Sequence, residues 1–205
     1  MNEISEFQKD AIAEMLNIGM GAAAASLSEM VNQEVLLSVP YVEFMNQNTA
    51  FDQIKNTVGE DFKAVKEGFD GAFGGDAFLF FSDSHSKELV KILIDKDSLP
   101  EELYEEMEKE VLTEIGNIVL NACLGSLADI FGKVLVLKIP VFMQGDFDSV
   151  ISSDKEQANN DDVVLLLNMQ FSLKEKDVSG FISLLMAVDS AKALTNEISE
   201  AFGVG

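Results

Sequence analysis

The chain has 205 residues, 47% of them hydrophobic, which is enough for one substantial core. Its 36 acidic and 14 basic residues give a net charge of −22, which argues against nucleic acid and anionic membranes and favours basic or locally basic partner surfaces. A single cysteine and a single histidine exclude an internal disulfide and leave no basis for a zinc site or a Cys–His nucleophile pair.

In chain order, residues 3–31 carry helical apolar spacing through Ile4, Phe7, Ala11, Ile12, Met15, Leu16, Ile18, Leu27 and Met30. Asp10, Glu14 and Asn17 fall on one polar stripe of that helix. Gly19, Gly21 and the alanines that follow suit close packing. Residues 34–43 read as a strand whose Pro40 implies an edge, a bulge or a start. Residues 44–60 read as a polar loop. Phe62–Phe69 and Asp76–Phe81 form a hairpin signal around Gly71, Gly74 and Gly75. Ser84–Ile94 reads as a short helix with His85 facing solvent near its start, and Asp95–Pro100 as a connection.

The second half repeats this order. Glu101–Phe131 is a long helix with Glu110, Glu114, Asn117 and Asn121 on one stripe and Cys123 on its apolar side. A strand over 133–143 contains Pro140, and Gly145–Asp162 is an acidic loop. Val163–Leu173 and Val178–Val188 form a hairpin around Lys174–Asp177, and Asp189–Phe202 is a closing helix with Asp189 as its cap. No run approaches the ~20 continuous apolar residues of a membrane helix. The opening Met-Asn-Glu-Ile-Ser-Glu is no secretory signal. A soluble, cytoplasmic protein with no membrane insertion is expected.

The two halves share more than element order. At an offset of 100, Lys9, Glu14, Asn17, Ile18, Ala22, Ser26, Leu27, Leu37 and Pro40 recur as identical residues. Each Asn is followed by 22 residues and then Pro. A fixed offset with two copies reads as a duplicated half-domain. The expected fold is α/β of the α+β type, internally duplicated about a pseudo-two-fold axis. It has a largely antiparallel sheet flanked by two long helices and two shorter ones. The expected organisation is one domain over 1–205, made of halves at about 1–97 and 98–205.

A Glu-x-x-Asn pair sets a carboxylate beside a carboxamide on one helix face. A single such pair is most simply a solvated face. Here its flanks are apolar, both copies keep it, and its distance to Pro is kept as well. A carboxamide can donate and accept at once and so orient a water, and a carboxylate can pair with a lysine on a partner. That combination suits hydrolysis of an already activated bond carried by a partner, without covalent chemistry in this chain.

The segments Glu14-Met-Leu-Asn17-Ile-Gly and Glu114-Ile-Gly-Asn117-Ile, each with its distant Pro, resemble the CheC/CheX/FliY family of bacterial chemotaxis phosphatases. Two motif copies in a chain of this length resemble the CheC-like members. The resemblance implies hydrolysis of the aspartyl phosphate of the response regulator CheY. It implies that Asn17 and Asn117 orient the attacking water and that Glu14 and Glu114 pair with the partner's phosphate-site lysine. Magnesium is then held by the response regulator, and this chain binds no cofactor or metal. CheD is a further partner the resemblance implies. That pattern often opens with Asp or Ser four residues before the Glu; Asp10 fits and Glu110 departs, so two unequal sites are expected. The alternative is a non-catalytic adaptor that holds a response regulator, CheD or flagellar motor-switch proteins. A monomer is expected, because the duplication already supplies a two-fold arrangement.

Overall fold

The structure, a computed structural model, describes residues 5–39, 41–93, 100–146, 163–173, 176–186 and 188–202. Helix α1 (Glu6–Val31) begins at a capping box: the Ser5 hydroxyl accepts from the Gln8 amide while the Gln8 side chain accepts from the Ser5 amide. Ile12, Leu16, Met20, Ala23 and Leu27 recur at helical spacing and are buried. The helix stops at Asn32, which takes the left-handed conformation and donates back to the last turn.

Strands β1 (Val35–Ser38) and β2 (Val42–Asn46) follow. The single strand expected over 34–43 is therefore two. Helix α2 (Gln47–Val58) then occupies the stretch read as a loop. Its polar composition hides an apolar stripe, Ala50, Phe51, Ile54 and Val58, that packs on the sheet. The Asn46 carboxamide caps it, accepting from the Thr49 amide at 2.9 Å. Strands β3 (Asp61–Gly71) and β4 (Gly75–Ser82) form the expected hairpin, and α3 (Asp83–Leu93) the expected short helix.

Helix α4 (Glu101–Phe131) starts at Pro100, and β5 (Leu135–Leu137) and β6 (Val141–Asp146) follow it. Again one expected strand is split, here around Pro140, which has no N–H to give to a ladder. Strands β7 (Val163–Leu173) and β8 (Lys176–Met186) pair as expected, and α5 (Val188–Phe202) closes the chain. Asp189 lies inside its first turn, not at its cap. The expected connection at 95–99 and the part of the acidic loop at 147–162 lie outside the described residues.

Among the described residues, eight strands form one antiparallel sheet in the order β1-β7-β8-β4-β3-β5, with β2 also on β7 and β6 also on β3. The order has a simple property. Exchanging β1 with β5, β2 with β6, β3 with β7 and β4 with β8 turns it into itself, reversed. The opening strands of each half do not lie on their own hairpin; they pair with the hairpin of the other half.

One face of the sheet, through Val65, Phe69, Leu79, Leu165, Leu167 and Ile182, packs against α1, α3, α4 and α5. The opposite face, through Phe62, Ala64, Phe78, Phe80, Val164 and Leu166, packs against α2. The α/β class and the antiparallel sheet are as expected, with five helices among the described residues. By length and hydropathy α1 and most of α4 could cross a membrane. Their apolar sides are those laid on the sheet, which accounts for that composition.

Helices α1 and α4 pack on each other. Glycine permits the contact, since a Cβ on Gly19 would sit 1.6 Å from Ser126 Oγ. Gly116 likewise brings α4 close to β3, where a Cβ would meet Val65 at 2.5 Å. Thus Gly19 acts in helix packing as expected, whereas Gly21 faces open space.

Candidate active site

On α1, burying Ile12, Leu16 and Met20 turns Glu14 outward and leaves Asn17 half-buried at the rim. Ile18, the next residue, is 72% exposed. On α4, Leu112, Ile115 and Val119 are buried, Glu114 is exposed and Asn117 is half-buried. Each Glu and its Asn share one helix face. No cation pairs with Glu14 or Glu114 among the described residues, and no hydrogen bond joins one pair to the other.

The two asparagines are held differently. Asn17 Nδ2 donates to the Val39 carbonyl at 3.1 Å, and the Val39 amide donates to Asn17 Oδ1 at 2.7 Å. The β1–β7 ladder stops at Ser38 and the β2–β7 ladder resumes at Val42. Val39 is buried in this gap, where its backbone groups have lost the sheet and need other partners. The carboxamide of Asn17 supplies both, as a neighbouring strand would. The long spacing from Asn to the residue before Pro40 therefore has a structural origin in the first half. The signal was in the sequence, but its cause was not.

In the second half that clamp is missing. Asn117 Oδ1 accepts from Asn121 Nδ2 at 2.8 Å. Ile139, which stands where Val39 stands, is 87% exposed, and Lys138 donates its amide to Gly68 instead. Among the described residues no hydrogen bond links Asn117 to 138–140. Beyond each Asn the stripe runs into small residues, and a Cβ added at Gly21 or at Gly125 would touch nothing within 4 Å. Both stripes thus border open space.

Two ionic features escaped the sequence. Lys63 of β3 is buried and meets Glu108 of α4 at 2.5 Å and Asp83 of α3 at 3.3 Å. Lys87, hydrogen-bonded to Asp83 at 2.7 Å, holds that carboxyl below its usual range, with Lys63 adding to the effect. Glu67 of β3 is 1% exposed, and burial pushes it up to about 7. Elsewhere Cys123 is fully buried, which raises its thiol to about 12 and leaves it a packing residue. His85 is half-buried in the first turn of α3. Among the described residues no three His, Cys, Asp or Glu side chains gather as metal ligands.

Residues 7–44, which hold the first Glu-Asn pair and Val39, match the CheC-like family. The chain is 28% identical over 156 residues to the CheY-P phosphatase CheC of Bacillus subtilis, covering 74% of this chain and 73% of that protein. It is 22% identical over 205 residues to the flagellar motor switch phosphatase FliY of the same organism, covering 97% of this chain. It spans about half of FliY, 52%. Among solved structures, Thermotoga maritima FliY has the same fold, with a TM-score of 0.71, 16% identity and coverage of 97% of this chain and 98% of that one. Sequence and fold together bear out the resemblance to the CheC/CheX/FliY family that the paired motif carries.

Proposed function

We propose that the chain hydrolyses the aspartyl phosphate of a CheY-like response regulator. The observation that carries this is the surface Glu-Asn pair, present twice, whose exposed carboxylates pair with no cation among the described residues and lie beside open helix faces. The relative at 28% identity is itself a CheY-P phosphatase.

In this reading Glu14 or Glu114 pairs with a lysine of the regulator and sets the docking register. Asn17 or Asn117 then enters beside the phosphoryl group and orients one water in line. Water oxygen attacks phosphorus, the bond to the aspartyl oxygen breaks, and inorganic phosphate leaves with the aspartate restored as a carboxylate. Magnesium bound by the regulator would neutralise charge on the phosphoryl oxygens. The net charge of −22 favours a partner that offers basic groups around its phosphate site. A cytoplasmic location, a monomeric state and CheD as a second partner complete the proposal.

Asn17→Ala combined with Asn117→Ala tests it. Loss of an oriented water costs on the order of 100-fold. The expected result is loss of most phosphate release with an unaltered circular dichroism spectrum. Undiminished release by a folded double variant refutes the assignment. Protection of the phosphorylated regulator in proportion to added protein instead supports the adaptor alternative.

A further inference from the structure

The second site differs from the first in one residue that nothing above assigns. Asn121 lies one turn beyond Asn117, on the stripe that also carries Glu114. Its counterpart on α1 is Gly21, which has no side chain to reach Asn17. In the first half the backbone of Val39 holds the carboxamide from both ends. In the second half Ile139 has turned outward, and Asn121 Nδ2 reaches Asn117 Oδ1 at 2.8 Å.

A carboxamide offers two N–H donors and two acceptor lone pairs. Asn17 spends one of each on Val39. Asn117 spends one lone pair on Asn121, and among the described residues nothing else takes its two N–H groups or its other lone pair. An unrestrained Asn would rotate about its side-chain bonds and turn over its amide. The bond from Asn121 fixes which end faces outward, and it does so without using a donor.

We propose that Asn121 is the positioning residue of the second site: it holds the Asn117 carboxamide with both N–H groups presented to the partner's phosphoryl group and water. This rests on the phosphatase reading and deepens it. It also reverses the asymmetry expected from Asp10 and Glu110. The second site is presented, whereas the first must give up two backbone hydrogen bonds before its amide can serve fully.

The test isolates the second site in an Asn17→Ala background, with phosphorylated CheY as substrate. Asn121→Ala there lowers kcat about 10-fold and leaves KM within about twofold, because positioning, not docking, is lost. Asn121→Asp, the same size but able only to accept, draws the Asn117 N–H groups inward and lowers kcat at least as far. Asn121→Gln, which still donates, recovers part of the rate. Added to Asn117→Ala, Asn121→Ala produces no further loss. A second readout needs no substrate: the Asn117 side-chain amide signals in a ¹⁵N NMR spectrum of the full chain move in Asn121→Ala. Unmoved signals overturn the proposal, and so does moved signals with kcat unchanged, or an equal loss in the Asn117→Ala background. If the parent chain releases no phosphate catalytically, the phosphatase reading fails, and the NMR comparison still decides whether Asn121 orients Asn117.

Discussion

Asn17 is both a candidate for catalysis and a structural tie, and the two roles separate experimentally. Removing its carboxamide leaves the buried amide and carbonyl of Val39 without partners. Orphaned buried groups cost about 1–3 kcal/mol. Asn117 makes no such backbone bonds among the described residues. Asn17→Ala should therefore lower the unfolding midpoint in urea clearly, while Asn117→Ala shifts it little and removes the larger share of activity. Glu67 offers a pH test. Its carboxyl is raised from 4.5 to about 7 by burial, so folding favours the protonated form. Its stability contribution is fully present below about 4.5 and is lost as pH rises through about 7, up to about 3 kcal/mol in all. Relative to Glu67→Gln, the parent chain should lose stability between pH 4.5 and 7. A pH-independent difference between the two would show that Glu67 does not change its protonation on folding. At this scale the sequence displayed Glu14, Asn17, Glu114 and Asn117 through periodicity and repetition. It could not display Val39, because the group Asn17 binds is backbone, and any residue has that backbone.

The elements are joined by an ion cluster as well as by apolar packing. Lys63, Glu108 and Asp83 tie β3, α4 and α3 together, with Lys63 and Glu108 buried and Asp83 at the solvent edge. Removing one partner of a buried pair leaves the other charge uncompensated, at a cost of about 3–5 kcal/mol. Glu108→Ala should show that scale of loss in urea unfolding, and a loss below about 1 kcal/mol would mean that Asp83 alone satisfies Lys63. Most elements were legible from period and punctuation: the long helices, both hairpins and the short helix after β4. Helix α2 was not, because its few apolar residues are spread among Gln, Asn, Thr and Lys. Only tertiary packing against Phe78 and Phe80 makes that stripe informative. The splitting of both opening strands was half-legible. Proline announced an interruption but not that a helix side chain would bridge it.

For the whole molecule, the sheet order that maps onto itself supports reading the chain as one unit written twice. The registers also show why the repeat fades after Pro40 and Pro140. Val35 lies opposite Leu173 and Leu135 opposite Gly71, so an offset of 100 in the opening strands goes with one of 102 in β3 and β7. Phe69 opposite Gly75 matches Phe171 opposite Val178, which gives 103 for β4 and β8. A comparison at a single offset loses register there. The exchange of opening strands has a consequence for folding. A fragment of residues 1–97 keeps β1 and β2 but lacks β7, on which both depend. It should be unfolded or dimeric, and a folded monomer by light scattering and circular dichroism would contradict the intertwined topology.

Turnover separates a phosphatase from an adaptor that only holds its regulator. The most direct measurement is phosphate released from phosphorylated CheY in excess over the chain, after subtracting the spontaneous decay. Catalysis by Asn17 and Asn117 predicts many phosphates per molecule for the parent chain and a rate near spontaneous decay for the variant with both replaced by Ala. Release that stops at one phosphate per molecule, or that continues undiminished in the folded double variant, would contradict it.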